Sequence, residues 1–444
     1  MKYLLSLSTL CMTALCISPL SAVHAASQST PELTTGTAPQ LAEPTLPGIR
    51  FSEVIGWPEN RKPTAPEGFW VSEYARNLVS PRNIYQAPNG DVFVAEANTE
   101  LKSKGFRRWL LEWVGYSRAQ RTESCACRIT LLRDTDKDGQ PDVQQVFLAD
   151  LAQPFGMLVL NGYFYVANTN ALWRYPYTPG QTRMTAEQQA RGQKILDLPA
   201  GGYNNHWTRN LIAAPDGKKI YISVGSGSNI GENGMENEVR RANILEINPD
   251  GSDLKIYAAG LRNPVGMSWS STGKLWTAVN ERDGLGDTLV PDYLTSVQPG
   301  GFYGWPYSYF GQNIDERVKP RRPEQVAKSL KPDFALGSHT ASLGLDFYDR
   351  TRFPERYRQG AFIGQRGSWN RSQLVGYQVA FVPFKNGQPS GDMEPFLTGF
   401  IADRARAKVY GRPVGVTTLQ DGTLLVADDA GNRIWRVRAL PWQP

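Results

Sequence analysis

One segment is written six times along this chain, and that repetition limits the fold more than any other feature. Each copy holds a loop ending in a small turn, a short apolar strand, an Asn, Asp or Gly turn, and a second apolar strand. The copies are LVSPRNIYQAPNGDVFVAEA from Leu78, LAQPFGMLVLNGYFYVANT from Leu151 and NNHWTRNLIAAPDGKKIYISVG from Asn204. They continue with LRNPVGMSWSSTGKLWTAVN from Leu261, a degenerate SLGLDFYDRTRFPERYRQGAFIGQ from Ser342, and GRPVGVTTLQDGTLLVADD from Gly411. Three share Pro-x-Gly followed by Met or Val at one register, at Pro154, Pro264 and Pro413. Asn-Gly and Asp-Gly pairs between β-rich runs are hairpin signals, because tight turns need the positive φ that these residues tolerate. The copies lack the 3.6-residue period of a helical solenoid. Hairpin repeats spaced by roughly 55 to 90 residues suit propeller blades with long connections. The expected fold is therefore all-β, a six-bladed β-propeller with long inter-blade loops. After Val437 no room remains for a fourth strand, and Phe69 to Ala75 has the length and alternation to supply it. Closure of this kind hides edge strands. Two β-sandwich domains are the competing architecture, but no Pro/Ser-rich linker divides the chain.

The flanks are read separately. Lys2, the apolar run Leu4 to Leu20, and Val23-His24-Ala25 before Ala26 fit an export signal over residues 1–25, cleaved near Ala25. Residues 26–48 are polar and rich in Pro and Thr, and read as a flexible leader. Residues 49–444 are then the catalytic propeller. It is interrupted by an insertion over residues 101–127, whose GFRRWLLEWVGYSRAQR stretch (Gly105 to Arg121) is the best helix candidate. That helix either packs over its own domain or meets a membrane surface or an acidic redox partner. A second insertion, Asn313 to His339, reads as a surface loop. No later stretch approaches the roughly 20 apolar residues of a transmembrane span, so the expected location is periplasmic or secreted. Lys and Arg number 48 against 42 Asp and Glu. The excess is mild and scattered, which excludes a nucleic-acid-binding stripe. Cys125 and Cys127 lack the spacing for haem attachment, and either a short disulfide or two partly buried thiols would suit them.

In a propeller, the start of each innermost strand faces the central channel at one end. Reading that register across the copies gathers Arg82, Gln153, Asn205 with His206, Arg262 with Asn263, and Arg412. Cations, amides and a histidine converging on one cavity suit a planar, polyanionic, hydrogen-bonding ligand. Only His206 among them acts as a general base near neutral pH without a large pKa shift. Asp134, Asp136, Asp138 and Asp142 match positions 1, 3, 5 and 9 of a calcium loop, with Gly139 at the turn. Position 12 is Gln145 rather than Glu, so a calcium-clamped turn and an empty acidic turn both stay open. A further acidic run holds Glu281, Asp283, Asp287 and Asp292 around Gly284 and Gly286, a set suited to a hard cation.

At these residues the chain resembles the soluble quinoprotein sugar dehydrogenases, and most closely their sorbosone-dehydrogenase-like branch. The stretches that carry the resemblance are NNHWTRN, GLRNPVGM, NERDGLGD through GGFYGWPY, GSWNR at Gly367 to Arg371, and GRPVGV. It implies pyrroloquinoline quinone and calcium as cofactors, with a small sugar or aldehyde as substrate and an external electron acceptor, a soluble cytochrome or the quinone pool. It makes His206 the catalytic base and places Arg262 beside the reactive quinone carbonyl. It gives Gln153, Asn205, Asn263 and Arg412 cofactor contacts, with Arg282 in place of a glutamine and Arg371 in place of a lysine. The backbone carbonyls of Asp283 and Gly284 would hold the cofactor calcium, and Asp287 and Tyr303 resemble a second calcium site. The chain departs from the family where Tyr410 replaces one of two paired arginines and where Arg366 replaces a histidine. Two other functions compete: a calcium-dependent lactonase or esterase, with Glu96, Asn168, Glu281 and Asp428 ringing a metal, and a non-catalytic carbohydrate-binding propeller.

Overall fold

The computed structural model describes residues 33–100 and 124–441. Apolar runs separated by turn residues at positive φ, such as Asn161 and Gly422, fold back as antiparallel hairpins. The described residues are almost wholly β, with two single-turn α-helices, Ala186–Ala190 and Pro323–Val326. Six mainly antiparallel sheets of four or more strands each start from a strand of one repeat copy. Those first strands are Pro81–Gln86, Gly156–Leu160, Leu211–Ala213, Pro264–Trp269, Ser342–Phe347 and Pro413–Thr418. Each touches the next, and the last returns to the first, so the inner strands close a ring. The ring is locked from outside as expected: Phe69–Ala75 pairs antiparallel with Arg433–Ala439 and completes the last sheet.

The repeated Pro-x-Gly now has a physical cause. At the glycine of four copies, the inner strand lies backbone to backbone against its neighbour. A Cβ on Gly156 would sit 2.6 Å from the Leu211 nitrogen, and one on Gly415 would sit 2.7 Å from the Arg82 carbonyl. Gly266 meets Leu345 in the same way, and a Cβ on Gly344 would overlap the Val414 carbonyl. Two copies place asparagine there and bridge the wider gap by hydrogen bonds. Asn83 donates to the Phe155 carbonyl at 3.1 Å, and Asn210 donates to the Val265 carbonyl at 2.9 Å. Because the obstructing atom at Gly344 is main chain, Gly344→Ala is expected to cost about 2–3 kcal/mol by overpacking. Urea denaturation measures this.

Alternate residues of the inner strands point into the channel and stack in layers. Phe155, Trp207, Val265, Leu343 and Val414 form an apolar plug across it. On one side of the plug lies a polar cavity; on the other, a second cavity is lined by Met157, Met267, Leu345 and Asp346. Burial pushes the Asp346 carboxyl up to about 6, although Thr418 N and Ser268 Oγ donate to it. A carboxyl raised on folding adds stability that is complete below its unfolded value of about 4 and is lost as pH rises through the folded one. Asp346→Asn is therefore expected to flatten the pH dependence of the unfolding midpoint between these limits.

Three expectations change, and the alternative left open at the two cysteines is resolved. Residues 33–48 are not a free leader. Thr35–Gly36 adds to the sheet edge at Phe334–Ser338, Thr45 N donates to the Leu285 carbonyl at 3.0 Å, and Gly48 N donates to Asp287 at 3.3 Å. Backbone groups dock this Pro/Thr-rich strap without any apolar alternation. Asn313 to His339 is not one surface loop, because Phe334–Ser338 is a fully buried strand paired with Pro291–Ser296. The third copy forms its inner strand only from Leu211, leaving Asn204 to Asn210 as an approach segment. Cys125 and Cys127 form a disulfide, with Cα atoms 5.1 Å apart. The export signal and the helix expected over Gly105 to Arg121 lie outside the described residues.

Candidate active site

The polar cavity has a volume of about 770 Å³ counted to its open mouth, and both His206 and Arg262 line it. His206 sits on the approach segment, where its Nδ1 lies 2.9 Å from both the carbonyl and the hydroxyl of Ser226. That hydroxyl gives its own proton to the Ser228 carbonyl at 2.6 Å, so both atoms facing Nδ1 are acceptors. Nδ1 must carry the hydrogen, which leaves Nε2 with the basic lone pair. Burial, with the Arg262 charge second, holds this imidazole well below 6.5. It is a neutral base at neutral pH.

Arg262 is fixed on every side. It donates to the Glu281 carbonyl at 2.6 Å and to Asn229 Oδ1 at 2.7 Å, and lies 3.4 Å from the Asp283 carboxylate. Asp283 lines the cavity and bridges Arg262 to His339, whose Nδ1 is 3.3 Å away. Burial alone would raise the Asp283 carboxyl, but the His339 hydrogen bond and the Arg262 charge hold it below the usual carboxylate range. His339 Nε2 faces the Gly286 carbonyl at 2.8 Å, so both its ring nitrogens meet acceptors.

The opposite wall carries three arginines around one carboxylate. Asp429 accepts from Arg82 at 2.6 Å, Arg366 at 2.7 Å and Arg412 at 3.0 Å, and all four residues are buried. Arg82 and Arg366 carry this cluster to the cavity wall. Burial, with the Arg366 charge second, lowers the Arg82 guanidinium to about 9. A bound anion would relieve that strain. Asn205 and Asn263 complete the wall; Asn263 Oδ1 is buried and takes no hydrogen bond. Trp369 closes one side of the mouth, its ring stacked at 5.8 Å on Phe51, just after the strap.

The other expected residues stand elsewhere. Gln153 is buried and donates to the Asn98 carbonyl at 2.8 Å, outside the cavity lining. Arg371 is buried, with a 3.4 Å contact to the Ser338 carbonyl. Arg282 is not a cavity residue: it is fully buried and spent on Glu281, Asp315 and the carbonyls of Pro306 and Ser308. Its neighbour Asp283 faces the cavity instead.

The metal readings separate in the same way. The Asp283 carbonyl already accepts from Arg317 Nη1 at 2.9 Å and Asn229 Nδ2 at 3.1 Å. Asp287 accepts from Gly48 and Ser372, and the Tyr303 hydroxyl donates to the Ser296 carbonyl at 2.6 Å. Neither side chain has an oxygen to spare for the other. Among the described residues, one group of three carboxylates brings its oxygens within 4.8 Å: Asp134, Asp136 and Asp138. Asp142 turns aside to Thr135 at 2.6 Å. The carboxylates of a lactonase ring each have a local partner. Glu96 pairs with Arg128 at 2.8 Å, Glu281 with Arg282 at 2.9 Å, and Asp428 accepts from the Arg412 nitrogen at 2.7 Å.

Comparison with known proteins bears on this arrangement. Residues 94–429 match a family model described as "Domain of unknown function (DUF7133)". The chain belongs to this family. An uncharacterized protein of Borreliella burgdorferi is 31% identical over 244 residues, 54% of this chain and 62% of that protein. A "Pyrroloquinoline quinone-dependent pyranose dehydrogenase" of Coprinopsis cinerea is 21% identical, across 88% of this chain and 56% of that protein. The DUF7133 chain thus spans less than two thirds of the length of these curated relatives. Among solved structures, the holo form of the pyranose dehydrogenase PQQ domain from Coprinopsis cinerea superposes with a TM-score of 0.68 at 19% identity, covering 87% of this chain and 100% of that one. The calcium structure of a Trichoderma reesei family AA12 enzyme gives 0.67 at 18%, covering 85% and 97%. The PQQ-bound aldose sugar dehydrogenase of Streptomyces coelicolor gives 0.54 at 16%, covering 84% and 99%. The DUF7133 chain shares the fold of these three solved structures.

Proposed function

We propose that this chain is an exported quinoprotein dehydrogenase, a six-bladed β-propeller that oxidises an aldose or sugar-derived aldehyde with pyrroloquinoline quinone. The observation that carries this reading is one cavity pairing a neutral histidine with a buried arginine, with Arg82 and Arg366 also in its lining. The residues fit the quinone, which is planar and carries several carboxylates. Arg82 and Arg366 would face those carboxylates, with Arg412 outside the cavity lining on Asp429, and Asn205 and Asn263 would hydrogen-bond its polar edge. When bound, it would supply the two-electron redox capacity that no side chain offers.

His206 does the proton work: Nε2 accepts the proton of the substrate hydroxyl, while Ser226 holds the ring from the other side. Arg262, immobilised by Asn229 and the Glu281 carbonyl, keeps positive charge where electron density would gather, and needs no reorganisation to do so. Trp369 at the mouth and Trp207 in the plug limit water in the cavity. Electrons would then leave for an external acceptor, a soluble cytochrome or the quinone pool. The finer assignment is the sorbosone-dehydrogenase-like branch, supported by NNHWTRN, GLRNPVGM and GSWNR. The test is reduction of an artificial dye across a panel of aldoses and aldehydes, with and without added quinone. Turnover only with quinone supports the reading. Lactone hydrolysis without it, or sugar binding without turnover, would replace it.

A further inference from the structure

We infer that Arg317 occupies the role of a calcium ion beside the reactive end of the cavity, so that this chain binds its quinone without a divalent cation. The inference rests on the quinone reading and concerns the Asp283–Gly284 segment. A carbonyl can ligate a metal only with a lone pair to offer. The Asp283 carbonyl has two donors already, Arg317 Nη1 at 2.9 Å and Asn229 Nδ2 at 3.1 Å. Both donors are themselves anchored. Arg317 forks onto Asp315, with Nε 2.9 Å and Nη2 2.7 Å from its two carboxylate oxygens. Asp315 is buried and shared with Arg282. Asn229 Oδ1 accepts from Arg262 Nη2 at 2.7 Å and from Asp283 N at 3.0 Å.

Gly284 is held against the same guanidinium. A Cβ there would come within 2.9 Å of Arg317 Nη1, and its own N–H donates to Asn370 at 2.9 Å. The segment is pinned from three directions, with the Arg317 guanidinium on the Asp283 carbonyl that would have to ligate a metal. The Asp283 carboxylate is already engaged by Arg262 at 3.4 Å and His339 at 3.3 Å. A divalent ion placed there would meet arginine on both sides at short range. Arg317 is bidentate to a buried carboxylate, so its guanidinium is held there without a metal's dependence on supply.

The experiment uses the full mature chain carrying Asp136→Asn and Asp138→Asn, so that the acidic surface loop contributes no cation site. Calcium is titrated by calorimetry, and terbium by its tryptophan-sensitised emission, before and after addition of pyrroloquinoline quinone. Quinone affinity is measured in calcium and in chelator. The expected results are no stoichiometric cation site and equal quinone affinity in both buffers. Removing the guanidinium with Arg317→Ala should make quinone affinity rise about tenfold or more on adding calcium. A stoichiometric calcium site in the background chain overturns the inference, as does a loss of about tenfold or more in quinone affinity in chelator. If quinone binds in neither buffer, the functional reading fails, while the terbium and calcium titrations still decide the metal question. If Arg317→Ala does not fold, the measurements on the background chain decide it alone.

Discussion

Asp429→Ala is expected to destabilise the fold by about 3–5 kcal/mol, the cost of stranding buried charge when one partner of a pair is removed. Arg82, Arg366 and Arg412 converge on this carboxylate, and Asp429 is 0% exposed. Without it, three guanidinium groups repel one another in a medium that screens them poorly. Urea unfolding at low and at high salt measures the loss, which should change little with ionic strength. By contrast, removing the exposed Arg321–Glu316 pair at the surface should be barely measurable. The sign of the pH dependence follows from the same cluster. Burial would raise Asp429, but the three arginines hold it below the usual carboxylate range. Its stabilising contribution is therefore present at neutral pH and is lost only as pH falls through that depressed value.

The second large effect is on turnover. His206→Ala should lower quinone-dependent turnover by about 10²–10⁴-fold, the range for loss of a positioned general base. Quinone binding should persist, since the arginine wall is untouched. A loss in kcat with little change in KM separates this role from a merely structural one. Because burial and Arg262 lower the His206 imidazole well below 6.5, it stays an unprotonated base under mild acid. The acid limb of kcat/KM in the wild-type chain should accordingly fall on the acid side of 6.5. A limb above that value would assign the base to another group.

How much of this was legible beforehand depends on whether the signal was local. The inner strands were legible because their alternation and Pro-x-Gly motif arise within a few residues. The same register brought out Arg82, His206, Arg262 and Asn263, which do share one cavity. Asp429 was not found, because its three partners lie 347, 63 and 17 residues away in sequence. A local signal existed in the acidic pair closing VADD, but nothing nearby explained it. Arg282 was misplaced by one residue: Glu281, Arg282 and Asp283 are consecutive, and only the fold decides which side chain enters the cavity. The strap over residues 33–48 was hidden because main-chain groups anchor it. Phe334–Ser338 was hidden because its short apolar run follows a charged insertion.

Titrating the purified chain with pyrroloquinoline quinone, followed by absorbance and calorimetry, tests the central claim most directly. The account predicts one quinone per chain with a dissociation constant of about 1 μM or tighter, weakened by Arg82→Ala and retained in His206→Ala. No uptake by a folded chain, or uptake indifferent to Arg82, would contradict it.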